Sequence, residues 1–136
     1  VAESAAEGGG PRSCPSALAE PGNLLYGRVR DGVVERLGTP LPVNQAFVDA
    51  VAAQGPPEQR FRFAGACLEG GCGQWENGGC GVIERVLRER PAEASGLPRC
   101  FIRASCRWFA QRGAVACAAC STVITDTRTP VAPAAR

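Results

Sequence analysis

Hydrophobic and polar positions change rhythm several times along the chain. Residues 1–13 show no apolar period and include three consecutive glycines, which predicts a disordered lead-in. From residue 24, Leu-Leu-Tyr-Gly-Arg-Val-Arg and Val-Val-Glu-Arg-Leu flank Asp31-Gly32, a pair that tolerates positive φ, so a β-hairpin is expected. Asn44 is placed to accept an orphan amide as a helix N-cap. Phe47, Val48, Val51 and Ala52 then share one helical face, and Gly55-Pro56-Pro57 ends it. Residues 60–64, Arg-Phe-Arg-Phe-Ala, alternate with period two, the mark of a short half-buried strand.

A second helix opens at Gly81, with Val82, Ile83, Val86 and Leu87 apolar against Glu84, Arg85, Arg88, Glu89 and Arg90, and Pro91 limits it. After a loop over 92–96, a third helix is expected over 103–112, with Arg103 and Arg107 one turn apart and Gly113 as its cap. Residues 121–125 read as a short final strand, and 126–136 as a flexible C-terminal tail. The pattern predicts an α+β fold: one small cysteine-rich domain over 14–125, built from a hairpin, further short strands and about three helices.

Composition changes this picture in one respect. A chain of 136 residues buries only a modest core, and eight cysteines are far more than such a length ordinarily carries. Metals or disulfides commonly supply what packing lacks in small domains. Lys, His and Met are absent, so all fifteen basic residues are Arg. The net charge of +2 is too small for a nucleic-acid binder. No run of roughly 18 apolar residues exists to span a membrane, and no basic segment precedes an apolar window as in a signal peptide. Without His there is no Ser-His-Asp or Cys-His arrangement, and without Lys no phosphate loop of the Gly-x4-Gly-Lys form. Hydrolase and nucleotide-binding chemistry are therefore poor fits.

The cysteines are spaced as Cys14, then Cys67-x4-Cys72-x7-Cys80, then Cys100-x5-Cys106-x10-Cys117-x2-Cys120. Two sets of four leave nothing over: Cys14, Cys67, Cys72 and Cys80 form the first, and Cys100, Cys106, Cys117 and Cys120 the second. The second lies in residues 97–125, which hold four arginines (Arg99, Arg103, Arg107, Arg112) and no Asp or Glu. Fixed positive charge lowers thiol pKa values toward the ligating thiolate, and it offsets the negative charge of a metal–thiolate centre. Glu69 and Glu76 beside the first set work the other way.

Three chemistries suit such sets. Iron–sulfur cubanes take four thiolates at irregular spacings, and glycines flanking Cys72 and Cys80 let backbone amides approach sulfur, although no ferredoxin run of C-x2-C-x2-C is present. Structural zinc prefers tight knuckles, and only Cys117-x2-Cys120 is one. A disulfide framework suits a secreted chain with an even cysteine count. Its difficulty is that residues 15–66 hold no cysteine at all. A thiol–disulfide oxidoreductase built on Cys117-x2-Cys120 lacks the βαβ context that motif requires.

The leading expectation is a small redox protein with one or two 4Fe–4S clusters, Arg103, Arg107 and Trp108 contributing to the cofactor surroundings. It would exchange electrons with a protein partner in the cytoplasm. The alternatives are a secreted disulfide-stapled binding domain without metal and a zinc-stabilised interaction module. An enzymatic role stays open if one cluster iron lacks a cysteine ligand.

Overall fold

The computed structural model describes residues 12–93 and 96–126. Residues 1–11 and 127–136, which include most of the expected lead-in and tail, lie outside the described residues. Four strands form an antiparallel sheet in the order β1–β4–β2–β3. They are β1 (Ser13–Ala17), β2 (Leu24–Arg30), β3 (Val33–Pro42) and β4 (Phe61–Ala66). A two-stranded ribbon pairs β5 (Trp75–Glu76) with β6 (Gly79–Cys80). The helices are α1 (Gln45–Ala52), α2 (Gly81–Glu89), α3 (Arg107–Arg112) and α4 (Ala114–Cys120). The fold is α+β. Among the described residues no helix is long and apolar enough to cross a membrane.

The hairpin β2–β3 turns at Asp31 and Gly32, whose φ angles of 54° and 78° give the mirror-image turn that matches strand twist. Between Leu25 and Gly27 the ladder slips against both neighbours: Leu25 faces Leu41 and Phe63, but Gly27 faces Arg36 and Arg62. The irregularity falls at Tyr26, which is buried on the helical side of the sheet. Asn44 caps α1 through a 2.9 Å bond from the Phe47 amide to its side-chain oxygen.

The sheet is covered on both faces. Leu25, Val43 and Phe63 pack with Phe47 and Phe61 on one side, the three phenyl rings meeting at 6.2–6.4 Å in tilted and edge-on pairs. On the other side Tyr26 and Ala64 pack with Ile83, Trp108, Ala116 and Val123. This double cover changes the meaning of the Phe-Arg-Phe alternation in β4. A half-buried strand would leave Arg62 in water, yet its side chain is 0% exposed because α3 and α4 roof that face.

Two further elements differ from the pattern. Residues 103–112 are not one helix: a 3-10 turn (Arg103–Ser105) ends at Cys106, whose extended backbone starts α3 afresh. Arg103 and Arg107 are thus on separate elements. Residues 114–120 form α4, where no helix was legible, and 121–125 are turn and loop where a strand was expected. Gly113, at φ 69° and ψ −149°, lets α3 stop and α4 begin with no linker.

Arg112 and Gln111 on α3 both bond the Glu84 carboxylate on α2, Gln111 at 2.8 Å and Arg112 Nε at 2.8 Å. The Arg112 bond, then Gln111, hold Glu84 down to about 2. The pair therefore stabilises the fold fully above the ordinary Glu value of about 4.3, and that contribution is lost as pH falls toward 2. Its solvent exposure keeps the effect on stability small. A side-chain NMR titration is expected to place the Glu84 midpoint near 2, and a midpoint in the usual carboxylate range would show that the pair does not persist.

Candidate metal centre

The first set is assembled by strand pairing. Cys14 lies opposite Gly65 in the β1–β4 ladder, and the Cys67 amide extends it with a 2.9 Å bond to the Arg12 carbonyl. A 3-10 turn (Glu69–Gly71) leads to Cys72, whose sulfur accepts the Gln74 amide at 3.3 Å. The β5–β6 ribbon then turns back at Asn77 and Gly78 and sets Cys80 opposite Trp75. Gly81 follows, and a Cβ there would stand 2.8 Å from the Gln74 carbonyl, so only glycine permits this close return. Gln111 of α3 clasps both backbone groups of Cys80, accepting from its amide at 2.9 Å and donating to its carbonyl at 3.0 Å. The Trp108 indole N–H reaches the Cys80 sulfur at 3.3 Å.

Burial pushes the Cys14 thiol up, and Cys80, Cys67 and Cys72 are each close enough to push it further. All four cysteines are half-buried. Cys14 and Pro15 are consecutive in β1, so they face opposite sides of the strand: Cys14 joins the first set and Pro15 lines the wall of the second.

The second set borders a narrow cavity that opens to solvent. Cys100, Cys106, Cys117 and Cys120 all line it. Cys100 arrives from the loop before the 3-10 turn, Cys106 from the start of α3, and Cys117 and Cys120 from one face of α4, three residues apart. Among the described residues no three Cys, Asp or Glu side chains close on one point at single-ion spacing. The eight cysteines are free thiols.

The electrostatics of this cavity come from the sheet. All five N–H groups of Arg62 are engaged. Nε donates to the Pro15 carbonyl (2.9 Å), and one terminal nitrogen to the Cys120 and Val123 carbonyls (2.8 Å each). The other meets the Pro15 carbonyl (2.8 Å), the Tyr26 hydroxyl (2.7 Å) and the Cys120 sulfur (3.3 Å). Its guanidinium lies between the Tyr26 and Trp108 rings, at 5.5 and 5.3 Å from their centroids. None of these partners is a carboxylate. Arg36 of β3 also borders the cavity and donates to the Cys117 carbonyl at 3.4 Å, its Nε buried without a hydrogen-bond partner. Burial works against the charge of both arginines, and the polar groups beside them outweigh it: the Tyr26 hydroxyl and the Cys120 sulfur for Arg62, the Cys120 and Cys100 sulfurs for Arg36.

The thiols respond unequally. Burial pushes Cys106 up to about 12 against the pull of the Phe109 and Trp108 amides. Burial acts on Cys120 too, but Arg62 and Arg36 overcome it and bring that thiol below its ordinary value. Cys120 is thus the sulfur best prepared to be an anion.

The arginines of residues 97–125 are placed differently from one another. Arg103 lines the cavity, bonds the Pro98 carbonyl and lies 5.9 Å from the Phe109 ring. Arg107 sits at the first set, paired with Glu69 at 2.5 Å and 4.9 Å from the Trp75 ring, and Arg112 is held by Glu84. Trp108 is 1% exposed and lines the cavity while bonding Cys80, so it touches both sets. Sequence reasoning did not find Arg36, Arg62 or Tyr26. They lie far from the second set in the chain and on strands, and only the roofing of the sheet by α3 and α4 brings them to it.

Comparison with known proteins gives a short match. Over 38 residues the chain is 47% identical to a protein of Serratia marcescens described as a probable [Fe-S]-dependent transcriptional repressor. That stretch is 28% of this chain and 51% of that protein, so the chain spans about half the length of the curated relative it matches. No protein-family profile and no solved structure matches the chain. A cysteine-rich chain with this match fits iron–sulfur binding.

Proposed function

We propose that the chain is a small iron–sulfur redox protein that carries single electrons, with two 4Fe–4S sites. Cys100, Cys106, Cys117 and Cys120 hold one, and Cys14, Cys67, Cys72 and Cys80 the other. The observation that carries this reading is Arg62: a fully buried cation, bonded to a cysteine sulfur, without a carboxylate partner. An isolated charge in a protein interior is costly unless an anion compensates it. Four ligating thiolates and the centre they hold would supply that anion, whereas disulfides are neutral and would leave Arg62 uncompensated. The short match to an [Fe-S]-dependent protein favours iron over zinc.

Bound there, a cluster supplies a one-electron couple at a potential set by charge and hydrogen bonding around its sulfurs. Arg62 and Arg36 favour added negative charge at the second set and so raise its potential, and Arg103 closes the cavity wall. At the first set the Gln74 amide and the Trp108 indole do the same work with neutral donors. A centre of this kind belongs in a reducing compartment, so we place the protein in the cytoplasm with a protein electron donor or acceptor as partner.

The test is the metal content of protein purified without oxygen. About eight irons and eight acid-labile sulfides per chain are expected, and about four would leave a single centre. Zinc in a colourless protein, or no metal with four S–S bonds by mass, would overturn the reading. Cys117→Ala is expected to bleach more of the visible band than Cys14→Ala, because the arginine-lined site binds the more tightly. Equal losses would show that the arginines confer no such advantage.

A further inference from the structure

Trp108 is in contact with both sulfur sets. Its indole N–H donates to Cys80 of the first set at 3.3 Å, and its ring forms part of the wall around the second. The same ring stacks on Arg62 at 5.3 Å, and Arg62 in turn donates to the Cys120 sulfur at 3.3 Å. Trp108 also follows Cys106 by two residues on α3, so its backbone is tied covalently to a member of the second set. Gln111, one turn further along α3, locks the Cys80 backbone. The indole is 1% exposed, so no water competes for its N–H. A tryptophan serving only as core packing would need none of these sulfur contacts.

Resting on the two-centre reading above, we propose that Trp108 is the bridge through which the two sites exchange an electron. The path runs from the Cys80 sulfur through the indole to α3 and Cys106, with a parallel branch through Arg62 to Cys120. The step balances within the molecule: one centre loses one electron, the other gains it, and no proton needs to move. The geometry also makes Trp108 a positioning residue for Cys80, since its N–H favours added negative charge on that sulfur. Its loss is expected to change the reduction equilibrium of the first centre about tenfold, which is 59 mV for one electron.

The experiment uses the full chain loaded with iron and sulfide, as unaltered protein and as Trp108→Phe. One electron per chain is introduced rapidly from a photogenerated organic donor, and equilibration between the centres is followed by freeze-quench EPR. Trp108→Phe is expected to slow the exchange at least about tenfold and to lower the midpoint of the first centre by more than it moves that of the second. Because phenylalanine is smaller and leaves a void, benzothienylalanine at position 108 provides a second variant that keeps the bicyclic ring and lacks the N–H. It is expected to reproduce the shift in midpoint and a smaller loss of rate. Unchanged exchange in Trp108→Phe at full iron content overturns the bridge and leaves the two-centre reading intact. Fewer than about eight irons in the unaltered protein overturns the two-centre reading, and the bridge with it.

Discussion

Exchanging Arg62 for methionine is expected to empty the second cysteine set and to destabilise the folded protein by about 3–5 kcal/mol. Two losses combine. The Pro15, Cys120 and Val123 carbonyls each lose their bond from the guanidinium; Pro15 keeps the Tyr26 hydroxyl and Cys120 the Val123 amide, but each loses part of its satisfaction in a buried site, which is expensive. The Cys120 sulfur loses the cation that most offsets its burial, so it reverts toward a neutral thiol that is a poor ligand. Arg62→Lys separates the two effects. It keeps a positive charge but cannot reproduce five donors in a planar fork, so it should retain part of the iron while recovering little of the stability. Iron per chain and the denaturant midpoint read the two quantities independently. Wild-type iron content in Arg62→Met would show that the cation does not serve the centre.

The two halves of the fold were unequally legible in the sequence. Where local chemistry decides, the pattern sufficed. Asp31-Gly32 made its hairpin because both residues accept positive φ, Asn44 capped α1, and the apolar stripe of Ile83 and Val86 put α2 against the sheet. It failed where tertiary packing decides. Residues 114–120, Ala-Val-Ala-Cys-Ala-Ala-Cys, have no polar face and so no amphipathic period, because α4 is enclosed by the core on one side and the cavity on the other. Cys106 breaks what looked like one helix because its extended backbone is what delivers its sulfur to the cavity.

The candidate site shows the same division. The partition of the cysteines into two fours follows from arithmetic alone; Cys100, Cys106, Cys117 and Cys120 line one cavity and Cys14 has Cys80, Cys67 and Cys72 as electrostatic neighbours, while among the described residues no three close to single-ion spacing. Which cations face the sulfurs did not follow. Nearness in sequence pointed to Arg103 and Arg107, but Glu69 holds Arg107 while the sheet supplies Arg36 and Arg62. Charge compensation in a folded interior is a matter of three-dimensional neighbours, and period-two alternation reads a buried arginine as a solvated one.

If the proposed centres are loaded, stripping them is expected to have the other large effect, and to act on one side of the sheet far more than the other. The helices α3 and α4 are six and seven residues long, well below the length at which isolated helices persist in water. Their packing runs through the core that contains Cys106 and Cys120, with Cys80 and Cys100 against it. In a centre assembled from residues this far apart in sequence, metal-binding energy would be folding energy, for which structural zinc sites set a scale of about 10 kcal/mol. The opposite core, of Leu25, Val43, Phe63 and the phenyl rings around them, contains no cysteine. Anaerobic protein treated with a chelator and a mild oxidant should therefore lose amide protection over residues 100–123 by at least about 100-fold, while β2 and α1 keep most of theirs. Hydrogen exchange read by mass spectrometry resolves the two regions. Protection unchanged over 100–123 would mean that the sulfurs hold nothing the fold depends on, and an even loss over both cores would mean that the sheet transmits the collapse instead of confining it.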